Sequence, residues 1–252
     1  MTRNKLLEQV NELQNSEEFH SLNETHNYRY ERKFTVPDTY SFKTVEHYIK
    51  RNKALFREVF QLRKVNNIYF DTPVYNDYFD NVLGVSDRKK IRIRWYGDTF
   101  GAIKEPVLEI KIKKGIVGDK WSFKLAPFVL DNTFDNAVIQ NIFKSSKLPL
   151  AILESVKMVI PTLLNSYLRH YYMSANNKFR VTLDYNLCYY KIDKRYNNFN
   201  FAPARDDNKI VELKYGLLDD DKSYEVSTQF PFRLHKNSKY VNGVNTIKQF
   251  PQ

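Results

Sequence analysis

Cysteine is nearly missing from this chain: Cys188 is the single one among 252 residues. One thiol rules out an intrachain disulfide and a zinc site built on several cysteines, and it predicts an intracellular, cytoplasmic protein with an inert thiol. Glycine is also scarce, seven in all, and no G-x-x-x-x-G-K-[ST] loop occurs, which excludes an ordinary P-loop kinase. No apolar run approaches the about 20 residues of a membrane helix, and the segment from Met1 to Phe19 lacks the apolar stretch of a signal peptide. A soluble chain without a span of its own is expected, so work at a membrane would require a partner protein. His47, His170 and His235 have no metal-binding spacing such as H-E-x-x-H, which leaves them surface or packing roles. An RNP1-type segment is absent as well, and no nucleic-acid partner is expected.

Positive charge is abundant. Forty Lys and Arg against 29 Asp and Glu give a net charge of +11 and an isoelectric point near 9.4. That balance suits nucleic acid, a membrane surface or a phosphorylated small molecule, and the pattern of the charges narrows the choice. Arg88 to Trp95 (R-K-K-I-R-I-R-W) and Val107 to Lys114 (V-L-E-I-K-I-K-K) alternate charged and apolar residues. Successive side chains of a strand point to opposite faces, so Lys90, Arg92 and Arg94 share one face, as do Glu109, Lys111 and Lys113. The pattern recurs in Arg29, Glu31 and Lys33, in Arg180 with Asp184, and in Glu212 with Lys214. Like charges on neighbouring strands repel, so a sheet of this design should hold an anion carrying many charges.

An amphipathic helix is expected over the first 19 residues, with Leu6, Leu7, Val10 and Leu13 on one side. Residues 1–27 read as this helix and a linker, and residues 28–252 as a single domain. Strands are predicted at about 28–36, 65–71, 88–96, 106–113, 119–125 and 209–215, with a second meander over 165–193. The turn before residue 119 falls at Gly115 and Gly118. Helices are predicted at about 39–52, 131–158 and from 222, a loop over 194–208, and a final segment from Lys236 to Val244. The fold class that follows is α+β: an antiparallel β-barrel of about eight strands, its charged face forming the lumen of a wet tunnel, with helices packed outside.

The segments Y-R-Y-E-R-K-F (28–34), I-Y-F-D-T-P (68–73), R-K-K-I-R-I-R-W-Y-G (88–97), L-E-I-K (108–111), Y-L-R (167–169), R-V-T-L-D (180–184), V-E-L-K (211–214) and H-K-N-S-K-Y (235–240), in this order, resemble the VTC domain. That family is the polyphosphate polymerase branch of the triphosphate tunnel metalloenzymes, which also include CYTH phosphatases. The resemblance implies that Lys33, Arg92, Arg94, Lys111, Arg169, Arg180 and Lys239 bind phosphates, and that Glu212 binds a divalent metal. Lys113, Lys214 and Lys236 join the expected substrate-binding set. Glu31 and Glu109 are further metal candidates, being hard oxygen ligands suited to Mg²⁺ or Mn²⁺. Arg92, Arg94, Glu212 and Lys239 are the expected catalytic residues. The implied reaction is metal-dependent transfer of a phosphoryl group from ATP to a growing polyphosphate chain. Hydrolytic relatives open with Glu-x-Glu-x-Lys, whereas Arg29 stands here in place of the first carboxylate. A tunnel triphosphatase and a non-catalytic polyphosphate binder are the alternatives.

Overall fold

The computed structural model describes residues 29–114 and 117–248. The expected N-terminal helix and linker, and the turn at Gly115, lie outside the described residues. In chain order the elements are β1 (Arg29–Val36), α1 (Phe42–Lys50), β2 (Arg57–Asp71), α2 (Asn76–Val82), β3 (Arg88–Tyr96), β4 (Gly101–Ile103), β5 (Val107–Lys114), β6 (Val117–Lys124), β7 (Phe128–Leu130), α3 (Asn136–Ser145), α4 (Leu150–Lys157), β8 (Ile160–Met173), β9 (Phe179–Tyr190), β10 (Ala204–Asp206), β11 (Lys209–Gly216), α5 (Asp220–Ser227), β12 (Arg233–Leu234) and α6 (Lys239–Lys248).

Ten strands form one antiparallel sheet in the order β12-β1-β11-β9-β8-β2-β3-β5-β6, with β10 paired to β9. β4 and β7 form a separate two-stranded sheet. The ladder stays open: among the described residues no hydrogen-bonded pairing joins β6 to β12 or β1. β1 and β6 nevertheless approach each other, which shows that the sheet curls. The architecture is therefore an α+β fold around a large open antiparallel sheet, where a closed barrel of about eight strands is expected from the alternation.

The alternation sorts the sheet into two faces. On the apolar face, Ile91, Ile93 and Trp95 of β3 and Leu108, Ile110 and Ile112 of β5 pack with Ile139, Ile142 and Phe143 of α3 and Ile152 and Val156 of α4. Nearer β1, Phe34, Val181, Leu183, Val211 and Leu213 meet Val45 and Ile49 of α1. Each such side chain, fully buried, contributes about 1.5–3 kcal/mol. Caps set where two of these helices begin: Ser41 accepts from the Thr44 backbone N–H, and Asp135 from that of Val138.

The polar face has its own apolar cluster at one end. There Tyr69 of β2, Leu163 of β8, Tyr189 of β9 and Ile210 of β11 bury Tyr240 and Val244 of α6. The segment expected near Lys236–Val244 is thus a helix that plugs one end of the charged face. Gly243 permits its close approach: a Cβ there would stand 2.5 Å from Leu163 Cδ2 and 2.6 Å from the Tyr189 ring. Asp71, fully buried at the end of β2, ties the same corner together. It accepts from the backbone N–H groups of Thr72, Asp77 and Tyr78 and from the Tyr240 hydroxyl at 2.6 Å.

Candidate active site

Strand register brings the separate charged segments onto one face. Across β3 and β5, Arg92 stands opposite Glu109, Lys90 opposite Lys111 and Arg88 opposite Lys113. Across β1 and β11, Lys33 stands opposite Glu212 and Glu31 opposite Lys214. Lys214 in turn faces Arg180 on β9, and Asp184 of β9 faces Arg169 on β8. Lys239, the first residue of α6, closes the group by reaching Asp184 at 2.6 Å and Glu212 at 3.5 Å.

Three buried carboxylates organise these cations. Asp184 takes both nitrogens of an Arg169 fork, at 2.5 and 2.6 Å. Burial pushes its carboxyl up, but Arg169 and Lys239 outweigh burial and hold it below the ordinary range. Glu212 lies among Lys214 (3.2 Å), Lys239 (3.5 Å), Arg169 (3.5 Å) and Lys33 (3.8 Å). Against the effect of burial, that ring of charge holds its carboxyl well below the usual range. Glu109 accepts from the Arg92 guanidinium at 2.5 and 2.8 Å, with Arg94 at 3.5 Å and Lys120 at 3.2 Å. Arg94 is further aimed by Asn67 Oδ1, which accepts from its Nε at 2.9 Å, and by the Tyr167 hydroxyl at 3.3 Å.

Lys111 and Lys90 are different. Among the described residues Lys111 has neither a carboxylate within 4 Å nor a hydrogen bond. Burial, then Arg92 and other cations, push its ammonium well below the ordinary lysine range. Lys90 donates to Ser238 Oγ at 2.8 Å, and burial together with Lys33, Arg88 and Arg92 pulls it down to about 7. The remaining expected binders lie at the rims. Lys113 is held down by burial and by Arg88 and Lys236, and Lys236 is exposed. Arg180 is exposed at the other end of the row, close enough to Arg29 to lower that residue's affinity for its proton, after burial.

The metal candidates separate on the same geometry. Glu31 and Glu212 share Lys33 and Lys214 as neighbours and repel one another. Burial pushes the Glu31 carboxyl up, but Lys33 and the nearby lysines bring it down to about 2. Two ionised carboxylates side by side fit the Mg²⁺ habit of one or two protein ligands completed by phosphate oxygens and water. No group of three His, Cys, Asp or Glu with metal-ligand placement occurs among the described residues, so protein ligands alone would not fill a coordination shell. Glu109 has both oxygens engaged by Arg92 and Lys120.

Asn67, Tyr167 and Ser238, which aim Arg94 and Lys90, were not among the residues expected to form the site. Asn67 carries a signal in hindsight, as an amide on the inward register of a strand whose neighbours are apolar; Ser238 carries none, because a turn residue gains its role only when α6 docks.

No curated protein matches the chain significantly. Among solved structures, a candidate adenylate cyclase of Vibrio parahaemolyticus aligns at 12% identity and a TM-score of 0.49, covering 86% of this chain and 99% of its own. The PH1819 protein of Pyrococcus horikoshii aligns at 12% identity and a TM-score of 0.46, covering 84% and 96%. Neither likeness is close enough to bear on function. The profile of the VTC domain matches residues 28–248, a stretch that takes in every strand of the large sheet and every charged residue just described, and the chain accordingly belongs to the VTC domain family.

Proposed function

We propose that this protein is a polyphosphate polymerase: it transfers the terminal phosphoryl group of ATP to a polyphosphate chain lying along the charged face. The reading makes that face a tunnel, the gap between β1 and β6 being bridged around the bound polyanion. The observation that carries it is that Lys111 and Lys90 form no ion pair among the described residues, Glu31 acting on them only from farther away. Cations partly removed from water are costly without counter-charge, and a run of phosphates would supply it.

Arg92 and Arg94, two residues apart on one strand, present guanidinium forks to successive phosphate oxygens, a geometry lysine cannot reproduce. Asn67 and Tyr167 hold Arg94 before substrate arrives, so its orientation costs little during reaction. Lys90, Lys111 and Lys33 bring together two polyanions that otherwise repel. The acceptor is an anionic phosphate oxygen, so no side chain need act as nucleophile. Lys239, fixed by Asp184, holds charge beside Glu212. Glu31 and Glu212 are the residues that would hold Mn²⁺ or Mg²⁺, whose chemistry is to neutralise charge on the transferred group. Arg29 in place of a third carboxylate favours transfer over hydrolysis. The cytoplasm, where ATP and a reduced thiol are at home, suits this reading.

The test is to incubate the protein with ATP and Mn²⁺ and follow phosphorus NMR, with Arg94→Ala as control. Internal-phosphate signal with ADP, lost in the variant, is expected. Orthophosphate alone would make the protein a triphosphatase, and tight polyphosphate binding without turnover would make it a binder.

A further inference from the structure

The charged face is not alike at its two ends. Arg88, beside Lys113 and Lys236, marks the end of β3 near the α6 plug, and Tyr96 marks the other. At the Tyr96 end, Arg63 of β2 stands opposite Arg169 of β8, and Phe60 opposite Tyr171. The Arg63 guanidinium lies 4.7 Å from the ring centre of Phe60, 5.2 Å from that of Tyr96 and 5.6 Å from that of Tyr171. Tyr96 lies near enough to Tyr171 to raise its hydroxyl pKa, after burial, and Phe60 meets Tyr171 edge to face at 5.6 Å. Arg169 continues the row inward, 5.8 Å from Tyr171 and 5.2 Å from Tyr167.

Two features set this cluster apart from ordinary packing. Phe60 and Tyr96 are 50% and 52% exposed, so their rings open to solvent beside the cationic face. Arg63 forms no ion pair among the described residues, and three aromatic rings surround its guanidinium. Flat open π-faces around a guanidinium suit a flat heteroaromatic with acceptor atoms on its edge, because every nucleobase offers a π-face that can stack on an aromatic side chain. Tyr96 and Arg92 are four residues apart, about 13 Å along a strand, which leaves space for a sugar between a base at Tyr96 and phosphates at Arg94 and Arg92.

We propose that Phe60, Arg63, Tyr96 and Tyr171 form a nucleobase site at this end, so that the triphosphate points along Arg94 and Arg92 toward Lys90 and Lys111. The assignment rests on the phosphate-binding reading of the chamber. It also gives the chamber a direction: the nucleotide enters at the aromatic end, and the chain extends along β3 and β5, beside the α6 plug that packs on β2, β8, β9 and β11, toward Arg88, Lys113 and the exposed Lys236.

The experiment is calorimetric titration without metal, using the β,γ-imido analogue of ATP and inorganic tripolyphosphate against the native protein, Tyr96→Ala, Tyr171→Ala and Lys111→Ala. The native protein is expected to bind the analogue about tenfold more tightly than tripolyphosphate, about 1.4 kcal/mol. In Tyr96→Ala and Tyr171→Ala that preference disappears while tripolyphosphate affinity stays within about twofold. Lys111→Ala weakens both ligands and keeps the ratio. An unchanged ratio in both tyrosine variants, or equal weakening of both ligands in them, overturns the nucleobase site and leaves the phosphate reading standing. Failure of tripolyphosphate to bind the native protein overturns both.

Discussion

Lys90 and Lys111 show how much a side chain's surroundings matter beyond its face. Alternation along β3 and β5 places both lysines and Arg92 on the charged face, whereas Lys239 enters only with the family pattern. What alternation lacks is the cross-strand register that gives Arg92 to Glu109 and sets Lys111 opposite Lys90. The consequence is measurable at Lys90, whose ammonium sits near 7 because of burial and the neighbouring cations. A lysine lowered in the folded state costs stability while it is charged, below about pH 7, and that cost fades as pH rises toward its ordinary value of about 10.4. A bound polyanion reverses the balance and restores the charge. Tripolyphosphate binding should therefore take up protons through Lys90, little at pH 6 and approaching about one proton at pH 8. Titrations in buffers of different ionisation enthalpy measure this uptake, and Lys90→Met should lose that share. Equal uptake by native protein and variant at pH 8 would show that Lys90 does not meet the anion.

Helix α6 decides how the elements work together. It stoppers one end of the charged face and delivers Lys239 to Asp184 and Ser238 to Lys90. Gly243 is the joint on which that depends. Alanine is better than glycine inside a helix by about 1 kcal/mol, but here its methyl would enter the space of Leu163 and Tyr189, and overpacking costs about 1–3 kcal/mol. Gly243→Ala should lower stability in urea unfolding and weaken tripolyphosphate binding together, because α6 moves with Lys239 on it. Gain of stability with unchanged binding would mean that the helix adjusts freely. The same helix explains which strands the sequence hides. β8 runs Ile160–Met173 with both faces covered from Pro161 to Tyr167, α6 lying on one side, so its alternation disappears and the reading begins only near residue 165. The first half of β2 is exposed on both faces and hides for the opposite reason. β3 and β5, with one face covered and one charged, are the strands best read from sequence.

At the scale of the whole molecule, the net charge of +11 is not spread evenly. Asp184, Glu212 and Glu109 neutralise the middle of the charged face, while Lys90 and Lys111 form no ion pair among the described residues and are offset only by the more distant Glu31, with Lys113 and Lys236 adding charge at the rim. This concentrated repulsion exists only in the folded chain, where the sheet crowds the lysines, and it opposes closure between β1 and β6. Two stabilising agents follow, one specific and one not. Tripolyphosphate at about 100 times its dissociation constant adds about 2.7 kcal/mol, about 5–10 °C in Tm for a domain of this size. Simple salt screens the lysines from each other, since the screening length falls from about 10 Å at 0.1 M to about 3 Å at 1 M. Raising sodium chloride should therefore raise the Tm of the free protein while shrinking the increment that tripolyphosphate provides, and the two thermal curves should converge at high salt. In Lys111→Met both effects should be smaller, because one of the repelling charges is gone from the start. A salt response of the opposite sign, with Tm falling as ion pairs at Glu109 and Glu212 are screened, would show that the paired half of the chamber, and not its lysines outside ion pairs, dominates the electrostatics of the fold.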